Sequence, residues 1–146
     1  MKIAFIFPGQ GSQYVGMAKE FIENFEESRE VFTAASSVLG YDLAQLCLHG
    51  PAKKLNLTEN TQPAILAASI AALRPLERRG LTAGAAAGHS LGEYTAITAA
   101  GGFELKDAIA LVRKRGRYMQ EAVPEGAGLM AAILGMERQD VEKTCH

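Results

Sequence analysis

Ser90 stands at the centre of Gly88-His89-Ser90-Leu91-Gly92, between a short apolar run and a stretch of helical spacing. Where a strand turns sharply into a helix, such a Gly-x-Ser-x-Gly segment holds its serine at strained backbone angles. The glycines remove side chains that would collide. The hydroxyl projects at the end of the sheet, at a helix N-terminus, and the Leu91 N–H points to where an oxyanion would form. The chemistry implied is nucleophilic attack on an acyl carbon. Fifteen glycines and six serines in 146 residues give this pattern by chance about 0.06 times. Its place between strand and helix adds to that weight.

A serine hydroxyl needs a base. The chain has three histidines. His89 adjoins Ser90, projects elsewhere and reads as a packing residue. His49 follows a helix and reads as a surface loop residue. His146 is the last residue. None is a convincing partner for Ser90. The sequence therefore predicts a truncated form of a longer protein, with the base beyond His146.

Arg113, Lys114, Arg115 and Arg117 form a basic cluster. It reads either as a solvated helix face or as a clamp for a carboxylate or phosphate, which a guanidinium grips through two parallel hydrogen bonds. Gln10 and Gln13 lie on a Gly-rich loop after the first apolar run. They are either plain turn residues or part of a site at the carboxyl edge of a sheet, where open α/β folds bind ligands. Two glycine patterns fail as nucleotide sites. Gly9-Gln10-Gly11-Ser12-Gln13-Tyr14 has Tyr14 where a dinucleotide fingerprint needs Gly or Ala. Gly126-Ala127-Gly128-Leu129-Met130-Ala131 precedes a predicted strand instead of following one.

These residues need elements to place them. Residues 2–7 predict a buried strand of a parallel sheet, stopped by Pro8-Gly9. Helical spacing covers residues 16–25 and 26–39, with Gly40 as C-cap. Asp42 is placed to N-cap a short helix to about Leu48. Asn60 and Thr61 are placed to cap an Ala-rich helix with Pro63 in its first turn, which Pro75 kinks or ends. Residues 83–88 predict a second strand. Helices follow over residues 91–100, closed by Gly101-Gly102, and over 105–123. After a turn at Pro124-Glu125-Gly126, residues 128–136 form a third apolar run and residues 137–143 begin a helix.

Length and composition fit one ordinary domain. Hydrophobic residues make up 48% and charged residues 21%, far from the composition of a disordered chain. A net charge of −1 argues against nucleic-acid binding through a general basic field. The longest near-apolar stretch, residues 63–73, is about half of a membrane span. The N-terminal apolar run lacks the small-residue cleavage site of a signal peptide. Cys47 and Cys145 suggest neither a disulfide framework nor, with three histidines, a zinc site. The expectation is a cytoplasmic protein without a metal, a membrane or a nucleic-acid partner.

The order of four segments is familiar: Phe7-Pro8-Gly9-Gln10-Gly11-Ser12-Gln13, Thr61-Gln62-Pro63-Ala64, Gly88-His89-Ser90-Leu91-Gly92-Glu93-Tyr94 and Arg115-Gly116-Arg117-Tyr118-Met119-Gln120. Over essentially its whole length the chain resembles the N-terminal half of the malonyl-CoA:acyl carrier protein transacylases, an acyltransferase family of fatty acid biosynthesis. The resemblance implies an α/β fold. Residues 1–123 would belong to a large α/β-hydrolase-like subdomain, incomplete here, and residues 128–146 would begin a small ferredoxin-like one. It implies Ser90 as nucleophile, Gln10 and the Leu91 N–H as oxyanion hole, and Arg115 as the group that holds the malonyl carboxylate. Gln62 would line the pocket. Malonyl-CoA would be the substrate, with no cofactor. Acyl carrier protein, and the missing C-terminal half with the catalytic histidine, would be partners. Other readings stay open: an inactive fragment or interaction piece, an acyltransferase of a polyketide pathway with another extender unit, or a serine hydrolase.

Overall fold

The computed structural model describes residues 2–123 and 133–145. Strand β1 (Ala4–Phe7) pairs in parallel with β2 (Ala85–Gly88), Ala4 opposite Ala85 and Phe7 opposite Gly88. The His89 N–H extends the ladder by donating to the Phe7 carbonyl at 3.2 Å. A parallel pair needs a long crossover. Five helices supply it: α1 (Lys19–Asn24), α2 (Glu26–Leu39), α3 (Leu43–His49), α4 (Ala52–Leu55) and α5 (Thr58–Arg78). Helices α6 (Leu91–Ala99), α7 (Leu105–Ala122) and α8 (Arg138–Thr144) follow β2.

Local signals account for several boundaries. Gly40 ends α2 at φ +75°, where a side chain would be strained. The Asp42 carboxylate accepts from the Gln45 N–H at 2.8 Å and starts α3. Helix α5 departs from the sequence reading at both ends. It begins at Thr58, so Asn60 and Thr61 lie inside it. They do not cap it. Asn60 Nδ2 donates to the Lys54 carbonyl, and Thr61 Oγ1 to the Leu55 carbonyl, so both side chains tie α4 to α5.

Nor does Pro75 end the helix, which runs to Arg78. Proline has no N–H for the carbonyl four residues back. The buried Ser28 hydroxyl donates to that carbonyl, of Ala71, at 2.7 Å. Pro63 poses the same problem at Glu59, whose carbonyl accepts from Arg113 Nη1 at 3.3 Å.

Helix α5 is the centre of the core. Its alanines let α2, α6 and α7 approach closely, and Ala64, Ala67 and Ala71 are fully buried. Phe5 and Phe7 point toward these helices, their rings edge to face. The opposite face of the sheet is open. Ile6 is 73% exposed, and Ala85 and Ala87, which share its face, are exposed too. The buried strand predicted for residues 2–7 is thus buried on one face, because successive side chains alternate. Residues 128–132 of the third apolar run lie outside the described residues. Residues 133–136 form no strand, and α8 follows them.

Among the described residues no single helix is long and apolar enough to cross a membrane. Helices α2 and α3 pass together on length and composition, but they are bent by 112°. Their apolar residues Val31, Phe32, Leu43 and Leu46 are buried in the core.

Cys47 lies fully buried on α3, whereas Cys145 is exposed. Burial, with a smaller push from the Asp42 carboxylate, raises the Cys47 thiol to about 12. The thiolate is the reactive species. At pH 8.5, iodoacetamide should alkylate Cys145 and spare Cys47 until urea unfolds the chain, as read by peptide mapping. Equal labelling of both in the folded chain would contradict this packing of α3.

Candidate active site

The turn between β2 and α6 is built by two glycines. A Cβ on Gly88 would lie 1.9 Å from the Gly92 carbonyl carbon, and one on Gly92 would lie 2.3 Å from the Phe7 carbonyl oxygen. Only without side chains can β2 enter α6 this tightly, with α6 against the end of β1. Ser90, between them, has φ +53° and ψ −101°, a region that side-chain-bearing residues rarely occupy. Such strain is held by its surroundings. Here Gly92 N–H donates to the His89 carbonyl at 2.8 Å and Glu93 N–H to the Ser90 carbonyl at 3.2 Å. Leu91 is the first residue of α6 and is fully buried.

Arg115 reaches Ser90 from α7. Its Nη2 donates to Ser90 Oγ at 3.0 Å and its Nη1 to Gln62 Oε1 at 2.9 Å. The guanidinium also lies over the Tyr94 ring, 5.4 Å from the centroid. Gln62 is fully buried on α5, and its Nε2 donates to Met119 Sδ at 3.1 Å. Gln62 thus fixes the arginine from behind. A glycine makes this meeting possible: a Cβ on Gly116 would lie 2.7 Å from Glu59 Cα and from the Thr58 carbonyl oxygen.

The basic cluster divides by charge partner. Arg113 pairs with Glu59 at 3.2 Å, and exposed Arg117 lies 3.7 Å from Glu121. Among the described residues no carboxylate pairs with Arg115. A half-buried cation without an anion, at hydrogen-bond distance from a strained serine, is suited to bind an anionic acyl group.

Gln10 lies beyond the end of β1. Its Nε2 donates to Thr58 Oγ1 at 3.3 Å. Gln13 shapes the same loop, accepting from the Gly11 N–H at 2.8 Å and donating to Asn56 Oδ1 at 2.9 Å. Gly9 closes the loop onto the serine turn, since a Cβ there would lie 2.7 Å from the His89 carbonyl oxygen and 2.8 Å from His89 Nδ1. The His89 ring therefore stands beside Gly9. It is exposed, not packed inside. His49 ends α3, and His146 lies outside the described residues.

The structure thus joins Ser90, Arg115 and Gln62 directly, and brings the Gln10 loop to α5. It adds Tyr94 and Met119, which sequence reasoning did not single out. Both had a signal. Met119 is four residues after Arg115 on a helix, hence on the same face. Tyr94 is four residues after Ser90, one turn into α6. Ser90 Oγ accepts from Arg115, a group that can take no proton. Among the described residues no cluster of three His, Cys, Asp or Glu side chains could hold a metal ion.

Residues 4–145 match the family described as the acyl transferase domain. The chain belongs to that family. It is 50% identical over 142 residues to the malonyl CoA-acyl carrier protein transacylase of Bacillus subtilis (strain 168), covering 97% of this chain and 45% of that protein. The transacylase of the same name from Escherichia coli (strain K12) is 50% identical over 146 residues, 99% of this chain and 47% of the relative. Among solved structures, a malonyl-transacylase in complex with its type II PKS acyl-carrier protein superposes with a TM-score of 0.91 at 46% identity. The match covers 99% of this chain and 47% of that one. This acyl transferase chain therefore spans about half the length of the relatives it matches.

Proposed function

We propose that the chain supplies the nucleophile and the carboxylate-binding arm of an enzyme that moves a malonyl group from malonyl-CoA to acyl carrier protein in fatty acid biosynthesis. The observation that carries this is the Arg115 guanidinium 3.0 Å from Ser90 Oγ, with no carboxylate partner among the described residues. Malonyl-CoA presents a thioester carbonyl and, one carbon away, a free carboxylate. Arg115 holds the carboxylate while Ser90 Oγ attacks the carbonyl. Thioester cleavage then releases CoA, which takes up the serine proton through a base, and leaves a malonyl-serine ester. The thiol of the carrier's phosphopantetheine attacks that ester and regenerates Ser90, a ping-pong sequence. The Leu91 N–H, at the first position of α6 where no intrahelical acceptor exists, and the Gln10 N–H stabilise the oxyanion.

We assign the base to a polypeptide that matches the other half of the relatives. The open face of the β1–β2 sheet, with Ile6, Ala85 and Ala87 exposed, supports a complementing segment there. On this reading residues 1–123 are part of the large subdomain, residues 128–146 begin the small one, and the assembled enzyme works in the cytoplasm. Without its complement the chain is an inactive piece. Arg115 distinguishes malonyl from acetyl, which has no free carboxylate, whereas the choice among extender units of polyketide pathways rests on residues that the complement supplies.

The test is an intact-mass measurement after incubation with malonyl-CoA. The chain alone should show no adduct. Mixed with the C-terminal half of the E. coli relative, it should gain one malonyl group on the peptide that contains Ser90. No adduct in the mixture, with free malonate released instead, would identify a hydrolase and overturn the transferase reading.

A further inference from the structure

The first turn of α5, with Gln62 just after it, meets the Gln10 loop and α7. Thr58 Oγ1 accepts from Gln10, Gln62 holds Arg115, and Gly116 of α7 rests against the Thr58–Glu59 backbone. One side chain locks this turn to α7. Arg113 Nη1 donates to the Glu59 carbonyl at 3.3 Å, to Tyr41 Oη at 3.3 Å, and to Asn60 Oδ1. Its Nη2 lies 3.2 Å from the Glu59 carboxylate, and its guanidinium sits over the Tyr41 ring, 5.5 Å from the centroid. The Glu59 carbonyl is the one that Pro63 cannot serve. Pro63 therefore opens an acceptor inside α5, and a residue from a different helix fills it.

We propose that Arg113 is the positioning residue for Arg115, pinning α7 to α5 so that the second guanidinium stands at Ser90. It touches neither the serine nor the carboxylate site. Arg113 bonds at Glu59 and Asn60, and Arg115 bonds at Gln62, about one turn further along α5. Together with the Gln62–Met119 hydrogen bond, these anchors fix the sliding of one helix on the other. With Arg113 removed, Gly116 presents no side chain to resist that sliding. A slip of about 1 Å is enough to cost two orders of magnitude when a reacting group must be held in place. A lysine cannot replace the arginine, because an ammonium lacks the planar fork that serves several acceptors at once.

The proposal rests on the carboxylate-binding reading of Arg115, and its test separates the two. The whole chain is labelled with ¹⁵N, and the Arg115 Nε–Hε signal is assigned by its loss in Arg115→Lys. Sodium malonate is the titrant. Arg113→Met should move the Arg115 signal to the position of exposed arginines and weaken malonate binding about tenfold. Arg113→Lys should weaken binding about threefold. Arg117→Met, which removes an equal charge from the exposed side of α7, should leave the signal in place and the affinity within twofold. An Arg115 signal unmoved by Arg113→Met, or moved equally by Arg117→Met, would overturn the proposal. If the unaltered chain binds no malonate, the carboxylate reading fails, and the signal alone decides the role of Arg113. Should Arg113→Met not fold, Tyr41→Phe removes one of its acceptors and keeps the ring. It should shift the same signal part of the way, and no shift would count against the role.

Discussion

Gly88→Ala should abolish the serine turn and destabilise the chain by more than about 4 kcal/mol, whereas Ser90→Ala should fold normally and lose only the acyl adduct. Adding a methyl group to a packed interior ordinarily costs about 1–3 kcal/mol, because neighbouring side chains can shift. At Gly88 the obstacles are backbone atoms: the Gly92 carbonyl carbon at 1.9 Å, its oxygen at 2.0 Å and the Glu93 nitrogen at 2.5 Å. No rotamer relieves them. Relief requires α6 to move away from β2, but Gly92 is itself wedged against the Phe7 carbonyl oxygen. The sheet, the helix start and the placing of Ser90 therefore fail together, in the class of large effects that have a named steric cause. Ser90→Ala keeps the backbone and removes only the hydroxyl. Urea unfolding followed by circular dichroism reads the first effect, and intact mass after malonyl-CoA and complement treatment reads the second. A Gly88→Ala chain with unaltered stability would show that the turn is looser than these distances require.

The serine turn was legible in the sequence because its physics is local. A tight strand-to-helix entry demands glycines two residues either side of the serine, and the letters state it. The same holds for Gly40 and Asp42, whose roles depend on their own backbone or on the next turn. The start of α5 was not legible. Asn60 and Thr61 have the chemistry of caps, but the Lys54 and Leu55 carbonyls claim them, and that depends on how α4 folds back. Pro75 misled for a similar reason. The residue that accommodates it, Ser28, is 47 positions away in sequence and one hydrogen bond away in space. The open sheet face escaped the pattern altogether, since an apolar run looks the same whether one face or both are covered. In the site, Arg115 was readable only through family resemblance. Periodicity could not separate it from Arg113 and Arg117, because what distinguishes the three is that Arg113 meets Glu59 and Arg117 meets Glu121, while no carboxylate among the described residues meets Arg115.

That distinction sets the expected behaviour of Arg115→Ala. Acylation of Ser90 by malonyl-CoA should fall about 10²- to 10³-fold relative to acylation by acetyl-CoA, measured by intact mass in the presence of the complement. Truncating one partner of a buried, hydrogen-bonded charge pair costs about 2–5 kcal/mol, and each 1.4 kcal/mol is tenfold. The loss is selective because acetyl has no carboxylate to leave unpaired. Removal also frees Ser90 Oγ from the Nη2 donor, so acetyl transfer has no reason to fall with malonyl transfer. Gln62 sharpens the test. Gln62→Ala leaves the charge but takes away the acceptor that fixes Nη1, along with the donor to Met119. Its selectivity should drop less than that of Arg115→Ala, by about tenfold, because a mobile guanidinium still attracts a carboxylate but no longer presents its fork in one orientation. An equal loss of malonyl and acetyl transfer in Arg115→Ala would mean that the arginine holds the serine, not the substrate.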